Sequence, residues 1–275
     1  MNTSRRGLSF YLLAGFFALF VLFLYGPTAT ILILSFQGPE GGLTFPMNGV
    51  SLHWFRNLFE QQAVGDFGGS FRRSIALGLM VMVLTVLCSV LAGFAFRRRF
   101  RGSAALFYLA VASLIVPSIL VSLGIGLFFN ILGLEPAWYS SALGAHLTWT
   151  LPFGLLIVFA IFNRFNPAYE EAARDLGASP WQTVRHVVLP ILLPSLIGVG
   201  LFGFTLSYDE FARTLMTAGS FNTLPLEIYG MTTNVTTPVL YALGSLTTVF
   251  SFTVIGVALL GLIALRRHRL RRSGI

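Results

Sequence analysis

The chain has 275 residues, 55% of them hydrophobic and only 10% charged, with a net charge of +8 and a mean hydropathy of +0.79. A soluble domain of this length carries about 25% charged residues, so the composition excludes one and points to an integral membrane protein. All 18 basic residues are arginine. Without lysine the chain holds neither a Walker-type phosphate loop nor a Schiff-base centre, and its arginines gather at the ends of apolar runs, as membrane topology explains, rather than in a nucleic-acid-binding patch.

Arg5 and Arg6 precede an apolar run over 8–36. At 29 residues this run exceeds the roughly 7–15-residue core of a signal peptide and predicts a retained span, loosened near Gly26-Pro27. The polar region 37–69 carries Glu40, Glu60 and Asp66, and within it Leu52, Trp54, Phe55, Leu58 and Phe59 predict a short amphipathic helix at the bilayer surface. A second span is expected over 74–96, closed by the arginine cluster 97–101, and a third over 103–132 with Pro117 inside. Trp138 and Tyr139 mark an interface turn before a fourth span, 140–162, with Pro152 inside. A fifth span is expected over 191–216, a polar loop over 220–238, and an uncharged last span over 239–265 that ends in arginines. Cys88, the one cysteine, lies in an apolar run and reads as packing. The fold class is an all-α membrane protein: six transmembrane helices in a single domain, with one polar two-helix element, 166–190, between spans four and five.

Fourteen arginines fall on the face that holds both termini and 166–190, whereas Arg56, Arg72, Arg73 and Arg213 fall on the other. The positive-inside bias places the termini and the 166–190 element in the cytoplasm. Arg72 and Arg73 run against that bias; either they meet headgroups or the second span starts elsewhere.

The 166–190 element is unusually well punctuated. Asn166 and Pro167 suit a helix start, with Glu170 and Glu171 near its positive end, and Gly177 can adopt the left-handed conformation that stops it. Ser179 caps a second helix, with Pro180 at its first position and Gln182 completing a capping box. Trp181, Val184 and Val188 form one stripe of that helix, and Pro190 is expected to end it. Glu171-Ala172-Ala173, three residues, Gly177, nine residues, then Leu189-Pro190 after Val187 resembles the EAA motif of ATP-binding-cassette importer permeases. Valine at 187, where the family usually has isoleucine, is a mild departure.

The resemblance implies a type I importer permease fold in which Glu171, Ala172, Ala173, Gly177, Trp181, Leu189 and Pro190 belong to a coupling helix pair seated in a groove of a separate ATPase. It implies no cofactor on this chain, since ATP and magnesium would be held by the partner. It further implies two ATPase copies, a second homologous permease (a heterodimer) and a periplasmic substrate-binding protein. On the residues alone, a hairpin lying on the membrane surface is the competing reading.

Asp209 and Glu210 lie one span-length beyond Pro190. An acid at the centre of a membrane helix costs about 2.5–3.5 kcal/mol on insertion scales and usually faces an aqueous path or a partner. One reading has Asp209 lining a path for a cation with Glu210 assisting; the other pairs either acid with Arg213 at helix-neighbour spacing. Tyr208 beside Asp209 adds a cation–π surface, to which Trp149 and His146 in the fourth span could contribute, although both also suit ordinary packing. The segments 204–211 and 223–229, together with 52–55, resemble the spermidine/putrescine branch of the permeases. Related branches that carry ferric iron, phosphonates or opine-like compounds are the alternatives. A proton-coupled carrier is a further alternative, but it needs no docking helices. No HExxH-like spacing is present and the four histidines are scattered, which argues against a membrane-embedded enzyme.

Overall fold

The computed structural model describes residues 7–59, 65–98, 100–234 and 237–272. Arg5, Arg6, Glu60, Arg99 and the side chains of residues 265–272 lie outside them. Among the described residues the secondary structure is helical, apart from one isolated bridge between Gln37 and Val50. Two units are distinguished, one comprising residues 1–65 and 230–254 and the other residues 66–229 and 255–275.

In the first unit, α1 (Leu8–Leu34) runs without interruption through Pro27. Its apolar side chains are exposed along nearly its whole length, as expected for a helix whose neighbour is lipid. The following loop is tied by the fully buried Gln37, whose Nε2 donates to the Gly42 carbonyl (3.1 Å) and whose Oε1 accepts from the Asn48 amide (2.8 Å). The expected surface helix is the single turn-and-a-half α2 (His53–Asn57), and Trp54 Nε1 donates back to the Gly38 carbonyl.

The second unit begins with α3 (Phe67–Phe96), which starts seven residues before the expected span. Asp66 caps it by accepting from the Gly69 amide, and Arg73 pairs with the same carboxylate at 3.0 Å while donating to the Asn222 carbonyl. Arg73, one of the two arginines that run against the positive-inside bias, is therefore neutralised within the protein. The expected third span is broken into α4 (Ser103–Ala112) and α5 (Ser118–Ile131). Pro117 lacks an amide hydrogen, so the helix breaks ahead of it, and at the break the Ser113 hydroxyl lies 2.7 Å from both the Ala110 carbonyl and the Thr148 carbonyl of a neighbouring helix. At 1.5 Å per residue neither piece alone crosses the roughly 30 Å hydrocarbon layer.

The helix α6 (Ser141–Arg164) follows, then α7 (Ala168–Asp175), α8 (Pro180–Thr183), α9 (Leu189–Tyr208), α10 (Leu224–Asn234) and α11 (Val239–Arg272). The expected loop 220–238 thus contains α10, whose early Pro225 and Glu227 favour a helix start and whose first amide is accepted by the Ser74 hydroxyl. Among the described residues five helices are long and apolar enough to span a membrane, and α4 and α5 are shorter apolar helices.

Close approach of α3, α6 and α9 rests on small residues. A Cβ on Gly78 would lie 2.9 Å from the Phe204 ring, and one on Gly154 would lie 2.4 Å from Ser89 Oγ. Thr85 Oγ1 donates to Thr150 Oγ1 at 3.0 Å across the same interface. In lipid, where apolar burial between helices supplies little, such backbone proximity and interhelical hydrogen bonding hold helices together.

Candidate functional site

The 166–190 hairpin is built from its caps. Asn166 Oδ1 accepts from the Ala168 amide, and α7 ends in a double closure, Gly177 N–H to the Arg174 carbonyl and Ala178 N–H to the Ala173 carbonyl. Gly177 sits at φ +82°, the left-handed region its lack of a side chain permits. Ser179 Oγ accepts from the Gln182 amide and Gln182 Oε1 accepts from the Ser179 amide at 2.8 Å, the reciprocal capping box expected from sequence.

Pro190, however, does not end the second helix. Four residues of α8 pass through one π-helical turn, Val184–Val188, directly into α9. Pro190 cannot donate to the residue four before it, and the chain accommodates this by widening the turn, so that the Leu189 amide reaches the Val184 carbonyl. The hairpin is therefore continuous with α9, the expected fifth span, rather than linked to it by a loop.

Glu171, Ala172, Gly177, Trp181 and Pro190 are exposed, and Ala173 and Leu189 are half-buried. Trp181 retains 65% exposure and Leu176 89%, an apolar pair projecting from a polar element. Glu170, expected from sequence to be a helix-end charge, is buried. It meets Arg97 Nη1 at 2.6 Å and Arg174 Nη2 at 3.5 Å. Only the excess of arginines at the end of the second span could have signalled a partner for it.

The other candidate cluster follows α9. This helix stops at Tyr208, with Asp209 as its cap residue, eight residues before the expected end of the fifth span. Side chains there compete for the backbone: Glu210 Oε1 accepts from the Arg213 amide at 2.8 Å, and the Thr214 and Thr217 hydroxyls donate to carbonyls four residues back. Asp209 and Glu210 therefore do not sit on a regular helix. Asp209 is exposed, whereas Glu210 is buried against Arg213, Nη1 to Oε2 at 3.6 Å.

Arg213 is the hub of this turn. It donates from Nη1 to Ser118 Oγ (2.6 Å) and from Nε to Thr148 Oγ1 (3.3 Å), and its guanidinium lies 4.5 Å from the centre of the Trp149 ring. The face of Trp149 is thus covered by an internal cation. Tyr208 belongs to a different cluster, stacked on Phe204 at 5.8 Å and edge-on to Phe71. His146 is buried, its Nδ1 2.7 Å from Ser207 Oγ and its Nε2 2.9 Å from Thr214 Oγ1. Ser122 and Ser141 bond to the carbonyls of Arg213 and Thr217. A non-helical backbone inside a membrane protein needs such internal partners for its polar groups.

Helices that cross a membrane, a capped hairpin presenting apolar residues outside them and a polar turn held within them are the parts of a transport subunit. The chain matches, over residues 85–272, the family described as the inner membrane component of binding-protein-dependent transport systems, and it belongs to that family. It is a permease subunit of an ATP-binding-cassette importer, an integral membrane protein and not itself an enzyme. It is 28% identical over 248 residues to the spermidine/putrescine transport system permease protein PotC of Haemophilus influenzae, covering 90% of this chain and 94% of the relative. The putrescine transport system permease protein PotI of Escherichia coli K12 is 28% identical over 232 residues, covering 82% and 81%. Among solved structures, a bacterial ABC transporter that imports the acidic polysaccharide alginate superposes with a TM-score of 0.67 at 15% identity, covering 94% of this chain and 95% of that one. That likeness establishes the fold.

Proposed function

We propose that this permease carries a small organic polycation, of the spermidine or putrescine type, inward across a bacterial cytoplasmic membrane. The likeness to polyamine permeases along nearly their whole length is the observation that carries this reading. Both termini and the 166–190 hairpin face the cytoplasm, consistent with the arginine distribution. The hairpin, through Glu171, Ala172, Ala173, Gly177 and Trp181, seats on a separate ATPase that binds ATP and magnesium, while Leu189 and Pro190 join it to α9. Two ATPases, a second homologous permease and a periplasmic binding protein complete the importer. ATP-driven approach of the two hairpins rocks the helices and opens the path alternately to each side.

The exposed carboxylate of Asp209 faces the cargo, supported by packing of the adjacent Tyr208, whereas Glu210 is held by Arg213 in a structural role. Trp149, with Arg213 on its face, serves the same internal network in this state. Uptake of radiolabelled spermidine into proteoliposomes containing the complete importer tests the assignment. Asp209→Asn should raise the apparent KM for spermidine several-fold without loss of assembly. Unchanged kinetics would remove Asp209 from the path, and uptake driven by a proton gradient without ATP would overturn the importer mechanism.

A further inference from the structure

The hairpin is tied to the membrane helices through Glu170, which precedes the motif residues. Its carboxylate is 11% exposed on the side chain and receives Arg97 Nη1 at 2.6 Å. Arg97 is the cap residue of α3. Its guanidinium lies 5.2 Å from the ring centre of Phe162, in the last turn of α6, and 5.8 Å from that of Phe165, the residue capping α6. One planar cation thus joins α7, α3 and α6.

The helices it reaches are locked together at the same level. Phe94 packs edge-on to Phe162 at 5.0 Å, and a Cβ on Gly93 would lie 2.6 Å from Val158 and 2.7 Å from Phe162. Phe162, Phe165, Val188, Leu192 and Leu196 belong to one buried cluster, so α9 shares the packing. A displacement of α7 has a stiff route into three helices through a short charge-assisted hydrogen bond. The planar fork and the rings suit arginine and would not suit lysine.

We infer that Arg97 and Glu170 are positioning residues that transmit motion of the 166–190 hairpin to α3 and α6, coupling ATP hydrolysis to transport. This rests on the proposed seating of the hairpin on the ATPase. The test uses the complete importer in proteoliposomes and measures substrate uptake per ATP hydrolysed for Glu170→Gln, Arg97→Met and the double variant. A photoreactive phenylalanine at the exposed position of Arg185 reports ATPase contact in parallel.

Loss of a charge-assisted bond should lower uptake per ATP about tenfold in each single variant, with hydrolysis and the cross-link to the ATPase retained. The double variant should be no worse than either single, because both remove the same link. Arg97→Lys should fall with Arg97→Met if the fork geometry matters. Wild-type coupling in Glu170→Gln, or losses that multiply in the double variant, would overturn the inference. A cross-link lost together with uptake would also overturn it, because the pair would then merely fold the docking surface. Absence of the cross-link in the wild type would refute the seating itself, and so separates that failure from failure of the link.

Discussion

Arg213→Met removes the hub of the buried turn while keeping much of its volume. Arg213 and Glu210 are 3% and 8% exposed on their side chains, so the substitution leaves a buried carboxylate without its cation and the hydroxyls of Ser118 and Thr148 without a donor. Removing one partner of a buried pair costs about 3–5 kcal/mol. For a chain of this size each kcal/mol lowers the unfolding midpoint by roughly 2–4 °C, so the variant should melt about 10 °C below the wild type. Thermal unfolding followed by intrinsic fluorescence in lipid nanodiscs measures this. Adding Glu210→Gln should restore several degrees, since the uncompensated charge is then gone although its hydrogen bonds are imperfect. A single variant within about 2 °C of the wild type, against the shift expected from the buried-pair cost, would refute the hub role. So would a double variant that melts no higher than Arg213→Met.

Gly154→Ala places a Cβ 2.4 Å from Ser89 Oγ and 2.8 Å from Thr85 Cγ2, and this overpacking of the α3–α6 contact should cost about 1–3 kcal/mol, read as a lowered midpoint in the same assay. Gly177→Ala meets no atom within 4 Å, so its cost is conformational, about 1–2 kcal/mol for φ +82°, and should appear in a lowered unfolding midpoint. The Gly69 amide, and then Arg73, hold the Asp66 carboxyl below the ordinary aspartate value. Because the folded-state value is depressed, this contribution is present above the ordinary value near pH 3.9 and is lost as pH falls below it. Asp66→Asn should therefore flatten the acid limb of a midpoint-against-pH profile below about pH 4, and an unaltered limb would exclude Asp66 from it.

Much of the molecule is legible in one dimension because lipid imposes strong local rules. Apolar runs long enough to span, arginines at their ends and complete helix caps are all local signals, and they placed the helices, Gly177 and the Ser179–Gln182 box. The boundaries that went astray were those where neighbours decided. A proline in an apolar run reads the same whether the helix continues, as at Pro27, breaks, as at Pro117, or widens by a π turn, as before Pro190. The outcome depends on which groups pack against the proline's turn, such as the Thr148 carbonyl that accepts from the Ser113 hydroxyl.

The same division holds for the charged residues. The sequence by itself determined that Asp209, Glu210 and Arg213 are costly in a membrane and must have partners or a path, because the penalty is a property of each group. Only the tertiary structure decided that Glu210 takes Arg213, that Arg213 covers Trp149, that Asp209 stays exposed and that Glu170 reaches back 73 positions to Arg97. Ion pairs and cation–π contacts act over a few ångströms of space, and a linear pattern carries no record of which distant side chains the packing of α3, α6 and α9 brings within that range.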